Sequence, residues 1–360
     1  MNLAQRPRSK SRNITLSDVA GELGVSKATV SLAINGSPLV ATKTRDKILN
    51  KIEELGYVYN RGAAGLSTGQ TRIIGLAVHD ITNPYFSEVC AAIESILSQN
   101  DRMSFLCNTN ESLERQRRFF TTLVEHSADG MILCPAAGTD MASLGPLLSR
   151  GIPTVLLTRD VEGAELDFVG NDETLSLRLA TEHLIRLGHR RIVMLGGGQQ
   201  TSTSQKRRAG YFRAMEENGM PADPALVIDC DTNPQAAEEA IQRILSQNDR
   251  PSAIACYTDH VALGAISGLC RMGLKPGKDI AVVGCDDIPE ARRAYVQLTT
   301  ARIQKRVIGQ TAANLLIKRI SDPDLPLQRV VLAPELIIRN SCGTANECPR
   351  KPISSIDLNL

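Results

Sequence analysis

From Arg72 onward the sequence alternates short apolar runs with amphipathic stretches, and this rhythm constrains the fold more than any other feature. Runs at 73–78, 103–107, 130–133, 154–157, 191–195, 253–256 and 280–283 have the length of strands. Between them, 86–99, 114–125, 175–187 and 235–246 carry apolar residues at helical spacing. Alternation of this kind predicts βαβ units with parallel sheets, hence an α/β body. The body is too long for a comfortable single sheet, and the rhythm restarts near Asn171, so two similar lobes facing a cleft are expected. With 42% hydrophobic residues over 360 positions, the chain has the apolar material for two or three packed domains rather than disorder. Zero Trp and 3% aromatic residues argue against a large aromatic-lined groove.

The amino-terminal part follows another pattern. Residues 1–66 hold ten Lys and Arg against five Asp and Glu, so they carry +5 of the net +2 and leave −3 for the remainder. A basic head on a slightly acidic body fits a polyanion partner for the head alone, and fits equally a solvated basic segment. Three short helices are predicted here. Thr15 with Asp18 three residues later forms a capping-box pattern, and Leu16, Val19, Ala20 and Leu23 recur on one face. Ser26 caps a second helix over 27–35, ended by Gly36-Ser37-Pro38, and a third runs over 43–55 to Gly56. Two helices joined by a tight turn around Gly24 match a helix-turn-helix, although an ordinary three-helix bundle has the same spacing. In the helix-turn-helix reading Lys27 and Ala28 face base edges, while Ser26, Thr29, Ser31 and Asn35 contact phosphates.

Other chemistries find little support. Nine cysteines lack paired CxxC spacing, residues 1–13 lack the apolar run of a signal peptide, and no stretch approaches membrane-span length. A cytoplasmic protein with reduced thiols and no membrane partner is expected. Gly196-Gly197-Gly198 follows an apolar run but lacks the spaced third glycine of a dinucleotide fingerprint. The five histidines show no metal spacing, so neither metal nor cofactor is expected and no catalytic constellation emerges.

The run Ile14-Thr15-Leu16-Ser17-Asp18-Val19-Ala20, then Gly24-Val25-Ser26-Lys27-Ala28-Thr29-Val30-Ser31, resembles the head of lactose-repressor (LacI/GalR) family regulators. Lys43-Thr44-Arg45, Gly56-Tyr57-Val58 and Asn60-Arg61 continue the likeness, which extends to about Cys342. Two departures stand out: Leu32 replaces the usual arginine after the Val-Ser pair, and Ala41 replaces the serine cap of the third helix, with Thr42 as a nearby substitute. The resemblance adds Thr15, Tyr57 and Asn60 to the phosphate-positioning set. It also implies a hinge helix in which Ala63 and Leu66 meet the minor groove, Leu66 as the apolar wedge. Gly62 and Gly65 each cost a helix about 1 kcal/mol relative to Ala, so this segment is expected to fold on operator; an ordinary linker has the same composition.

For the body, the resemblance is to a periplasmic-binding-protein-like fold. It rests on Asn83-Pro84-Tyr85-Phe86, Gly170-Asn171-Asp172, His183-Leu184, Arg207-Arg208-Ala209-Gly210-Tyr211, Thr258-Asp259 and Gly284-Cys285-Asp286-Asp287. It implies an effector site with Tyr85 and Phe86 as ring walls and Arg207 and Asp286 as polar anchors, joined by Thr203 and Thr232. Packing at a helix start, a local carboxylate pair and a turn cap are the respective structural alternatives. Thr258 stands where many relatives carry asparagine. The expected organisation is a DNA-binding domain over 1–59, a hinge over 60–71, a body over 72–342 and a tail over 343–360. Lobe one takes 72–170 and 301–328, and lobe two takes 171–298 and 329–342. The function implied is a homodimeric, sequence-specific regulator, a repressor on a pseudo-palindromic operator, controlled by a small molecule such as a sugar. Its rivals are a solute-binding protein of the same body fold, a nucleotide-dependent enzyme, and an activator responding to a purine or phosphorylated metabolite.

Overall fold

A computed structural model of the protein describes residues 14–58, 70–198, 201–220, 223–247 and 249–343. The chain divides into two compact units, 1–71 and 72–360.

The first unit holds three helices, α1 (Leu16–Leu23), α2 (Lys27–Ile34) and α3 (Thr42–Leu55). Each starts and stops for a local reason. Thr15 accepts from the Asp18 amide at 3.3 Å while the Asp18 carboxylate accepts from the Thr15 amide at 2.8 Å, closing a capping box. Gly24 and Gly56 end α1 and α3 in the left-handed conformation. Ala41 sits at the cap of α3 with no side-chain bond, and Thr42 is the first helical residue, so it does not replace the missing serine cap. Val19, Ala20, Val30, Ala33, Val40 and Ile48 form a small core, flanked by Leu16, Leu23, Val25, Ile34, Ile52, Leu55 and Tyr57.

The second unit contains two six-stranded sheets. The first is built from β1 (Ile73–Val78), β2 (Met103–Asn108), β3 (Gly130–Leu133), β4 (Thr154–Leu157), β5 (Asp167–Asn171) and β11 (Arg329–Leu332), in the order β11-β5-β4-β3-β1-β2. The second is built from β6 (Ile192–Leu195), β7 (Val227–Ile228), β8 (Ala253–Cys256), β9 (Ala281–Asp286), β10 (Thr299–Arg302) and β12 (Glu335–Ile337), in the order β12-β10-β9-β8-β6-β7. All pairings are parallel except β10 with β12. The connecting helices are α4 (Pro84–Gln99), α5 (Leu113–Glu125), α6 (Gly145–Leu148), α7 (Glu173–Arg186), α8 (Ser202–Glu217), α9 (Pro234–Leu245), α10 (Asp259–Arg271), α11 (Pro289–Arg293) and α12 (Lys305–Ser321). Apolar cores lie on both faces of each sheet, which is why most of its strands read as continuous apolar runs.

The chain passes between lobes three times, after β5, after β10 and between β11 and β12. Two expected boundaries therefore move. Residues 329–332, expected in lobe two, pair with β5 in the first sheet, and 301–302, expected in lobe one, pair with β9 in the second. The physical reason is that β11 and β12 are separate short strands, one joining each sheet.

Candidate functional site

Two places in the chain gather the residues singled out by sequence. In the first unit, Ser26 accepts from the Thr29 amide at 3.0 Å, and its hydroxyl lies 2.9 Å from that of Thr29. This cap starts α2 with Ser26, Lys27 and Ala28 exposed and no acidic residue in the first turn. A helix N-terminus with no carboxylate in its first turn, beside a lysine, suits a phosphate-lined groove. Ser31 is half-buried and Asn35 exposed, its amide donating to the Ser31 carbonyl at 3.0 Å. Leu32, the departure from the family arginine, is exposed. Thr15 is exposed but already donates to Asp18 at 2.7 Å, and Tyr57 is half-buried against the small core. Asn60, Ala63 and Leu66 lie outside the described residues.

The second place is the cleft between the lobes. In parallel sheets ligands gather beyond the carboxyl ends of strands. The segments that follow β1, β2 and β4 in one lobe and β6, β7 and β8 in the other all reach one chamber of about 920 Å³. A smaller inner cavity of about 40 Å³ is lined by Tyr85, Phe86, Thr203, Arg207, Thr232 and Asp286. All six residues expected to touch effector thus meet at one spot. Its other walls include His79, Thr158, Arg159 and Tyr257.

Local structure explains the placement. Asn83 caps α4 by accepting from the Tyr85 amide at 3.0 Å, with Pro84 in the first turn, which sets both rings at the helix start. Both rings are buried: Tyr85 and Phe86 meet edge to face at 4.8 Å, Phe86 meets His79 at 4.4 Å, and the Tyr85 hydroxyl lies 3.0 Å from that of Thr158. A side chain at Gly210 would collide with the Thr174 carbonyl, so glycine lets α8 lie against α7 and brings Arg207 over the cleft. Gly197, at a φ of 79°, leaves room for the Tyr257 ring, which a Cβ there would approach to 2.6 Å. The glycine run is a packing device for that ring.

Arg207 is paired, as the structural alternative allowed, and within the site itself. Its Nε donates to Glu173 at 2.6 Å and its Nη2 to Asp286 at 3.3 Å; Nη1 donates to the Tyr257 carbonyl, and the guanidinium lies 4.8 Å from the Tyr257 ring centre. Burial pushes the Asp286 carboxyl up and Arg207 pulls it back down. Asp286 and Asp287 take φ of 127° and 52°, strain that persists because Lys305, opening α12, donates to both carbonyls at 2.8 Å. Thr258 lines the inner cavity and also caps α10, accepting from the Val261 amide at 3.3 Å.

Sequence reasoning missed a second ion pair in the floor. Arg159 grips Glu111 with both terminal nitrogens, at 3.0 and 2.8 Å, and donates to the Pro135 carbonyl at 2.9 Å. Beside it, burial and then the Arg159 charge push His79 down to about 3, so the imidazole is neutral. Across the lobes, Lys206 meets Asp160 at 2.6 Å, the Asp160 amide donates to Ser202 at 2.8 Å, and Thr203 reaches the Thr158 carbonyl at 3.4 Å. The usable signal for His79, Glu111, Arg159 and Tyr257 was their position just past strand ends. His189 Nδ1 lies 3.0 Å from the Ser252 hydroxyl. Among the described residues no cluster could hold a metal ion, and no helix is long and apolar enough to cross a membrane.

Comparison with known proteins decides the family. Residues 15–60 match the family of bacterial regulatory proteins of the lacI type, and 181–342 match a periplasmic binding protein-like domain. The maltose regulon regulatory protein MalI of Escherichia coli is 31% identical over 335 residues, 91% of this chain and 98% of that protein. The chain belongs to the lacI family. The HTH-type transcriptional repressor PurR of Vibrio campbellii is 34% identical, over 92% of this chain and 99% of that one. Among solved structures, the lac repressor dimer bound to operator and the anti-inducer ONPF aligns with a TM-score of 0.82 at 26% identity, covering 92% of this chain and 99% of the repressor. The transcriptional regulator CelR in complex with cellobiose aligns at 0.70 with 29% identity, covering 91% and 99%. This lacI-family protein is accordingly a DNA-binding transcription regulator with an effector-binding body, and not an enzyme.

Proposed function

We propose that this regulator is a cytoplasmic repressor that grips a pseudo-palindromic operator as a homodimer and adjusts its hold when a sugar occupies the cleft. The observation that carries the effector half is the convergence of Tyr85, Phe86, Thr203, Arg207, Thr232 and Asp286 on one cavity between two lobes. A ligand touching both lobes favours the relative orientation it bridges better. That preference reaches the head through 60–71, and because the coupling is thermodynamic, operator and effector alter each other's affinity by the same factor.

At the DNA, Lys27 and Ala28 read base edges, with lysine donating to guanine and alanine offering an apolar contact to a thymine methyl. Thr15, Ser26, Thr29, Ser31, Asn35, Tyr57 and Asn60 position the head on phosphates, and Ala63 and Leu66 enter the minor groove. Exposed Leu32 replaces a guanidinium with an apolar surface, so the operator departs from the usual family consensus. The likeness to the operator-bound lac repressor dimer and to CelR with cellobiose supports both halves.

Fluorescence anisotropy with inverted-repeat and scrambled duplexes tests the reading. Salt-sensitive preference for one inverted repeat, changed by a sugar, is the expected result. Lys27→Ala should alter base preference, whereas Thr29→Ala should weaken all operators alike; a uniform loss from both removes the base-reading assignment.

A further inference from the structure

The charge lining the cleft goes further than the fold does. The 920 Å³ chamber is lined by four carboxylates, Asp80 and Glu111 from one lobe and Asp229 and Asp231 from the other. Among the described residues lining it, Arg159 is the one residue with a fixed positive charge, and Glu111 already holds that guanidinium by both oxygens. His79, in the same wall, is neutral. Deeper in, Arg207 faces two carboxylates, Glu173 and Asp286, and Glu173 Oε1 is buried with no donor against it. Two cations of α8 are likewise engaged, Arg208 by Asp229 at 2.8 Å and Lys206 by Asp160 at 2.6 Å. A phosphate or carboxylate entering here would meet like charge on both lobes and, among the described lining residues, no unengaged guanidinium or ammonium to replace its water. Most of the remaining wall is amides and hydroxyls, among them Asn83, Asn108, Asn110, Asn233, Thr201 and Ser204, which suit the paired hydroxyls of sugar rings. The chamber is at the upper end of the volume range of small-molecule sites, which is room for more than one ring.

We infer that the cleft selects by charge, taking an uncharged or amine-bearing saccharide of two or more rings and rejecting phosphorylated and carboxylated ligands. This deepens the effector reading and rests on it. Asp80 and Asp231 set the selection, one from each lobe, and both are accessible enough to change without opening a core.

Calorimetric titration of the full chain tests it with neutral disaccharides, the same disaccharides carrying a 6-phosphate, and dimers of glucosamine. Each phosphorylated probe should bind at least tenfold more weakly than its parent, about 1.4 kcal/mol, and a glucosamine dimer should bind at least as tightly as its neutral analogue. The double variant Asp80→Asn with Asp231→Asn should narrow the phosphate gap threefold or more, with an unchanged melting temperature showing that the fold is intact. A phosphorylated probe that binds as tightly as its parent overturns the inference, as does a gap that the double variant leaves unchanged. Binding of no saccharide overturns the ligand class, while the operator reading stands or falls separately on the anisotropy measurement.

Discussion

Arg207 shows how one side chain can serve stability and recognition together. Its guanidinium is buried and matched by Glu173, Asp286 and the Tyr257 carbonyl, so removing it strands carboxylates rather than deleting a contact. Breaking a buried pair from one side costs roughly 3–5 kcal/mol. Arg207→Ala should therefore lower the unfolding free energy of the body, read from urea titration, by that order as well as abolish the effector response; loss of response with unchanged stability would mean the pair is not holding the site. His79 gives the pH counterpart. Its folded value is about 3, against about 6.5 in an unfolded chain, so the unfolded state takes up the proton first as pH falls. Stability on this account is complete above pH 6.5 and declines toward 3, by up to about 1.4 kcal/mol per pH unit. His189 and His260 shift in the same direction, whereas Asp259 and Asp286, raised by burial, act in the opposite sense. The difference between parent and His79→Asn is thus what isolates the effect. Between pH 7.5 and 5 the variant should lose less stability than the parent, and equal losses would contradict a buried neutral imidazole.

At the scale of elements, what was legible in the sequence followed from burial. The strands β1, β3, β4, β6, β8 and β9 sit between two packed layers, so each reads as an apolar run. β5 escaped because polar Asp167 and Asn171 stand at its ends and leave only Phe168 and Val169 as an apolar run, and only the fold shows that Asp167 is paired with Arg319, 152 residues away. β11 and β12 escaped because they are short and no more than half-buried, and with them went the true lobe boundary. The effector residues were legible through motifs that resemble a family. The pairs Arg159–Glu111 and Arg207–Glu173 were not, since separations of 48 and 34 residues carry no periodic signal. The contact of α8 with the Thr158–Asp160 loop is another product of folding, and it ties the lobes together. In Lys206→Met, Asp160 keeps its partner Arg329 at 2.6 Å, so the melting temperature should barely move. Effector affinity should nonetheless change several-fold, because a contact made in one lobe orientation has gone. Unchanged affinity would show that this ion pair does not weigh on closure.

At the scale of the molecule, a twofold operator needs a twofold protein, and the first lobe offers a face for it. The helices α4 and α5 flank β2 along the chain, and β2 is the outer strand of its sheet. That strand exposes Met103, Phe105 and Leu106, while α4 turns Ser87, Ala91, Glu94 and Ser95 outward, small or polar residues that allow close approach. Large apolar side chains on an edge strand invite pairing with another chain. A second copy covering them would bury apolar surface worth about 25 cal/mol per Å² before the costs of association. Leu106→Asp places a charge in that face, half exposed in the single chain and so harmless to its fold. The variant should sediment as a monomer at concentrations where the parent is a dimer, and keep its saccharide affinity, since the cleft lies at the strand ends. It should also lose most of its preference for an inverted repeat over a single half-site, because two heads no longer arrive together. A variant that remains dimeric would move the interface elsewhere on the body and leave the exposed apolar strand without an occupant.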